Sequence, residues 1–247
     1  MINKKKSALA LAVAISIFGV GNVSFADDDK KAWSAQTELS FVNTTGNSDS
    51  QNLALKNSLK YDLTQKIKLD WKLSIIRGES DGELSSESYA TSLRGDYSYS
   101  KSLFLFITTG WEKDEFAGTE SKISVGPGLG YKIIDGPKHS LSTEAGVNYV
   151  QEQFTDDTDN SFANGRLFTE YGYQFNKKSK FTQSVEYLHD FDNTDNFNVN
   201  SETAVTTAFN DIFSLKIGYT VKYDNEPLTS SFDKTDTVLN ATVIANY

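Results

Sequence analysis

From Trp33 to Tyr247 this chain keeps one parity. Trp33, Ala35, Thr37, Leu39 and Phe41 alternate with Ser34, Gln36, Glu38 and Ser40. The same alternation carries Leu53, Leu55, Asn57, Leu59 and Tyr61, and then Ile67, Leu69, Trp71, Leu73 and Ile75. A repeat of two puts every second side chain on the same face, the pattern of a strand with one apolar side. Nine further segments follow: Tyr89–Tyr99, Leu103–Trp111, Ile123–Tyr131, Leu141–Tyr149, Ala163–Phe175, Phe181–Tyr187, Thr203–Phe209, Phe213–Tyr223 and Thr237–Tyr247. The spacing predicts twelve strands, all with the apolar register on odd numbers. No odd position in those spans is charged, although 23% of the chain is. The charges collect on even positions, at Lys56, Lys68, Asp70, Lys72, Arg94, Asp96, Glu144, Arg166, Glu170, Glu186 and Lys216.

A soluble sandwich hides its apolar face and exposes its charges, whereas a membrane barrel turns the apolar face to lipid and the polar face to a lumen. Three features select the barrel. Most segments are long enough for a tilted bilayer crossing, and their number is even. The connections 62–66, 100–102, 132–140, 176–180 and 210–212 are short, while 42–52, 76–88, 112–122, 150–162, 188–202 and 224–236 are long and acidic. Short periplasmic turns with longer outer loops are the bacterial pattern, which puts both termini in the periplasm. Aromatics also sort to strand ends, Tyr61, Tyr97, Tyr131, Tyr173 and Phe213 by the short turns and Phe41, Tyr89, Trp111, Tyr149 and Tyr187 by the long loops. Such girdles mark membrane interfaces. The expected fold is all-β, a 12-stranded antiparallel transmembrane β-barrel of the bacterial outer membrane.

The ends agree with export. Lys4, Lys5 and Lys6 precede an apolar run from Ala8 to Val20, and Ser24-Phe25-Ala26 supplies a small-residue cleavage site. That is a signal peptide over 1–26, followed by a short periplasmic tail over 27–32 and a barrel over 33–247. Its removal takes three Lys and no acid, moving the net charge from -9 to -12. So acidic a chain has no footprint for nucleic acid. With no Cys it has neither disulfides nor thiolate chemistry. Leu239, Ala241, Val243, Ala245 and the last aromatic, Tyr247, form the strand signal read by the barrel-assembly machinery.

Thr37-Glu38-Leu39-Ser40-Phe41-Val42-Asn43-Thr44-Thr45-Gly46-Asn47-Ser48-Asp49 resembles the opening of the YdiY-like family of salt-induced outer-membrane proteins, a family of unknown function. Arg77-Gly78-Glu79-Ser80-Asp81-Gly82-Glu83, Trp111-Glu112-Lys113-Asp114-Glu115-Phe116 and Lys234-Thr235-Asp236-Thr237 extend the likeness over the mature chain. The resemblance implies location and fold, and no catalytic or binding residues.

Candidate chemistry is sparse. His189 beside Asp190, with Asp192 and Asp195, could serve an outer-membrane hydrolase of protease or lipase type; a solvated acidic loop is the plainer reading. The same acids fail as a calcium loop, because Asp195 stands where Gly is needed and Ser201 where Glu is needed. Acidic outer loops near lipopolysaccharide leave loose divalent-cation binding open. Gly126-Pro127-Gly128-Leu129-Gly130 lies inside a strand, where its even-numbered glycines make room in the lumen. Inward acids and bases nearly balance, which suits a narrow mixed-charge pore or an interior cross-linked by ion pairs. Lys68, Asp70 and Lys72 should pair with Arg94 and Asp96 on the next strand. The expected function is non-enzymatic and without cofactor or metal: a narrow solute channel or an envelope and salt-stress structural protein, monomeric, with lipid and lipopolysaccharide around it. A hydrolase and a soluble periplasmic binding barrel are the rivals.

Overall fold

The computed structural model describes residues 32–45, 50–80, 83–115, 118–226 and 233–247. The expected signal peptide and nearly all of the expected tail lie outside the described residues. Every element is a strand: β1 (Trp33–Thr45), β2 (Ser50–Asp62), β3 (Ile67–Ser80), β4 (Glu83–Ser98), β5 (Leu103–Asp114), β6 (Thr119–Asp135), β7 (His139–Phe154), β8 (Asp159–Gln174), β9 (Ser179–Asp190), β10 (Phe197–Ala208), β11 (Phe213–Asp224) and β12 (Thr235–Asn246). Each pairs antiparallel with its sequence neighbours, and β12 closes on β1 through Thr37↔Ala245, Leu39↔Val243 and Phe41↔Ala241. Closure leaves no edge, the only state in which a sheet can sit in lipid with its backbone satisfied.

The shared parity has a geometric cause. Residues facing each other across an antiparallel ladder point to the same side of the sheet. Nearly every facing pair joins odd to odd and even to even, as in Leu59↔Trp71, Leu105↔Leu129 and Leu215↔Val243. One face therefore stays outward around the whole ring. The exposed large apolar side chains are odd-numbered, with Leu84, Ile134 and Ile212 the exceptions. The buried polar and charged residues, Glu38, Ser74, Arg166 and Glu186 among them, are even, Thr119 excepted. Apolar outside and polar inside is the inversion that distinguishes a transmembrane barrel from a soluble one.

The long acidic connections turn out to be largely strand. Residues expected in loops at 76–88 and 150–162 extend β3, β4, β7 and β8, leaving turns such as 155–158 between them. Strands of 12 to 17 residues exceed the ~9–11 that cross a bilayer, so paired hairpins run on past it. Pattern reading ended the strands where the aromatic girdle ended, because outside lipid nothing forces alternation. Register shifts at Gly78/Glu79, Glu112/Asp114 and Thr119/Ser121 fall in these extensions, at the end opposite the termini, called here the far end.

Candidate functional site

Five charged side chains alternate in sign along the inner wall. Arg94 on β4 donates to both carboxylate oxygens of Asp96 at 2.8–3.1 Å and reaches Glu144 on β7 at 2.8 and 3.1 Å. Glu144 also accepts from Arg166 on β8 at 2.9 Å, and Arg166 donates to Glu186 on β9 at 2.6 Å. Asn200 on β10 donates to the other Glu186 oxygen at 3.3 Å. Arg166, Glu186 and Glu144 are only 5%, 5% and 11% exposed at their side chains. Charges so enclosed are tolerable only when neutralised and hydrogen-bonded, and this ladder does both.

The span from β4 to β7 is three strand spacings, about 14 Å, too far for an arginine and a glutamate unless the wall between is low. The sequence lowers it. On β6, Gly128 lies beneath the Phe106 ring of β5: a Cβ there would sit 2.2 Å from Phe106 Cζ, and one at Gly130 would sit 2.0 Å from Phe104 Cζ. The tips of the phenylalanine rings reach over the glycine strand. The Arg94 guanidinium rests 4.1 Å above the Phe106 centroid, and Arg166 rests 4.8 Å above Phe168. Such stacking adds about 0.5–2 kcal/mol each and sets the guanidinium plane. Glycines that merely made room in the lumen were expected; what they make room for is an aromatic seat. Phe104, Phe106 and Phe168 escaped the sequence reading, although aromatics on the even parity were a legible signal.

Arg94 faces Asp70 in the ladder, yet its ion partners are Asp96 and Glu144, so the expected pairing with β3 is replaced by one reaching the opposite way. Asp70 instead takes Lys72 of its own strand at 3.7 Å. Lys68 departs further: it sits at the end carrying the termini, 59% exposed, 3.6 Å from Asp62. Lys56 faces buried Glu38 and Ser74 across its two ladders. Lys216 on β11 bonds Glu202 on β10. Glu170 lies on the inner face between Ser142 and Ser184. Lys180, absent from the sequence-based set, curls its chain over Gly172 on β8.

Inward charges also face one another across the ring. Lys60 lies on the inner face of β2, and β8, which carries Glu170, is the strand directly across the ring. Nearer the far end, β5 with Glu112 stands across the ring from β11 with Lys222.

His189 does not form a hydrolase site with Asp190. Consecutive strand residues point to opposite faces, so the imidazole is outside and the carboxylate inside. The ring stacks on Tyr187 with Nδ1 3.2 Å from its Oη, and meets Phe191 edge-on. Asp190 accepts from the Asp192 backbone N–H at 2.8 Å and from the Asn196 amide, closing its own turn. Among the described residues no group of three or more His, Cys, Asp or Glu is placed to hold a metal ion. In the β7–β8 turn, the Thr158 hydroxyl and backbone N–H donate to Asp156 and hold its carboxyl below the usual carboxylate range.

Residues 37–247 match the family model described as protein of unknown function, DUF481. The chain belongs to that family. Across 210 residues it is 28% identical to the uncharacterized protein YdiY of Escherichia coli strain K12, covering 84% of this chain and 80% of that one. Among solved structures it resembles the NanC porin, with a TM-score of 0.62 at 7% identity over 84% of this chain and 98% of the porin. The translocator domain of the autotransporter NalP from Neisseria meningitidis gives 0.60 at 10% identity, covering 90% of each chain. The COG4313 outer membrane channel from Pseudomonas putida F1 gives 0.59 at 11%, covering 90% and 99%. At such identities the likeness is one of fold.

Proposed function

We propose that this family member is a non-enzymatic barrel of the bacterial outer membrane that acts as a narrow, mixed-charge solute channel. The observation carrying the reading is the Asp96–Arg94–Glu144–Arg166–Glu186 ladder, which lines one wall, while Lys60 and Glu170 stand on opposed strands. Paired charges of both signs occupy the lumen without forming a single-sign track, so small solutes pass and neither ion sign is strongly preferred. The aromatic girdles seat the barrel in lipid and lipopolysaccharide with the short turns and both termini in the periplasm. The β12 strand ending at Tyr247 serves as the handle for the barrel-assembly machinery.

The test is single-channel conductance of refolded protein in a planar bilayer. The expected result is small unitary steps, far below those of a wide porin, with weak ion selectivity. Serine replacement of Arg94, Glu144 and Arg166 together should enlarge the steps. A barrel that never conducts, with or without those substitutions, would overturn the channel reading and leave a purely structural role.

A further inference from the structure

The balanced waist has unbalanced mouths. On the inner face at the end of the short turns stand Lys60, Lys68, Lys132 and Lys180. Asp62 pairs with Lys68 at 3.6 Å and Asp135 with Lys132 at 3.2 Å, and Lys60 and Lys68 face Asp70 and Asp96 across their ladders, so the positive excess at this end comes from the turns. The short turns add Lys66, Lys101, Lys138, Lys177 and Lys178 against Asp211. At the far end the inner face carries Glu112, Asp114, Glu152 and Asp236, with Lys122 and Lys222 among them. The turns beyond contribute Glu115, Asp156, Asp157, Asp192, Asp195, Glu226 and Asp233 against Lys234. Along the axis the charge thus runs from positive at the short-turn end, through the neutralised ladder, to negative at the far end.

We infer that the lumen is axially polarised and passes small ions better in one direction than the other. The inference rests on the channel reading and adds to it a direction. A cation enters readily at the acidic far mouth and an anion at the lysine mouth, because rings of one sign concentrate the opposite ion. When the far side is held positive, each ion is driven in through its own favoured mouth and both accumulate at the waist, so current is large. When the far side is negative, each is pulled out through that mouth and kept from entering at the other, and the waist empties. The solute class that fits such a path is small and carries both charges, its ammonium turned to the far end and its carboxylate to the lysines.

The experiment is single-channel recording across a symmetric potassium chloride solution. The cysteine-free chain allows a single Asp157→Cys label to report which way each barrel inserted. Wild type should pass at least about twofold more current with the far side positive, a size consistent with surface fields of several kT. That ratio should shrink between 0.1 M and 1 M salt as the screening length falls from about 10 Å to about 3 Å. Lys132→Glu with Lys180→Glu should abolish or invert the asymmetry. Should that pair fail to fold, Glu112→Gln with Glu152→Gln should weaken it from the other mouth. Ohmic wild-type channels, or larger current with the far side negative, would overturn the polarity while leaving a channel. Absence of any conductance would overturn the channel itself.

Discussion

Replacing Glu144 with Gln keeps the side chain's shape and removes the one charge shared by two arginines. In the intact wall its oxygens accept from Arg94 at 2.8 and 3.1 Å and from Arg166 at 2.9 Å. The amide keeps one weaker acceptor and turns an NH2 towards a guanidinium. Asp96 and Glu186 still hold the outer ends, so each arginine loses half its compensation. The three side chains are 5–16% exposed, which leaves little solvent to screen the loss. Breaking one member out of such an enclosed network costs about 3–5 kcal/mol. The assay is equilibrium urea unfolding in detergent micelles, followed by the fluorescence of Trp33, Trp71 and Trp111. A control is Lys68→Ser at the exposed Asp62 pair, where about 0–1 kcal/mol is expected. In a double-mutant cycle Arg94→Gln should couple to Glu144→Gln by roughly 1–3 kcal/mol. If Glu144→Gln unfolds within about 1 kcal/mol of wild type, water and not Arg94 and Arg166 neutralises that carboxylate, and the ladder argument falls.

Other outcomes follow from the same structure. Gly128→Leu should lift Phe106 and release Arg94, lowering the unfolding midpoint more than Gly95→Leu, since a Cβ at Gly95 meets nothing nearer than 3.6 Å. Ile217→Arg on the lipid face should cost about 2–4 kcal/mol, and Thr220→Arg on the lumen face of the same strand clearly less, as read by reversible unfolding in vesicles. Ser74, fully buried, would be a poor lumen control because any larger side chain there overpacks. Asp156, held below its unfolded value, caps its turn fully above about pH 4 and loses that cap as acid titrates through the lower folded value; Thr158 amide exchange should speed up only there. His189→Ala should leave lipid and peptide hydrolysis at background, equal to wild type; turnover lost in that variant would restore the enzyme reading.

The barrel was legible in the sequence because one physical demand, apolar to lipid, is imposed on every strand and leaves a parity that survives averaging. The ladder was legible only as an inventory. Arg94, Glu144, Arg166 and Glu186 were all marked as inward, but their pairing depends on which side of its strand Arg94 leans towards. Sequence proximity favours Asp70, its direct ladder partner; the Phe106 ring and the bare β6 backbone favour Glu144, three strands away. That choice rests on ring placement, which alternation cannot encode. Strand ends failed for the opposite reason. Beyond the girdles, alternation is no longer required, so hydrogen-bonded hairpin reads as loop.

The unbroken parity also constrains how such a chain can change length. Inserting one residue within a crossing would turn every downstream side chain of that strand inside out, putting leucines in the lumen and lysines in lipid. Length can therefore drift by single residues only where a turn or a bulge absorbs the slip, as at Gly78/Glu79, Glu112/Asp114, Thr119/Ser121 and Lys132/Ile134, near strand ends. Between those points, relatives that share this barrel should differ by pairs of residues or not at all.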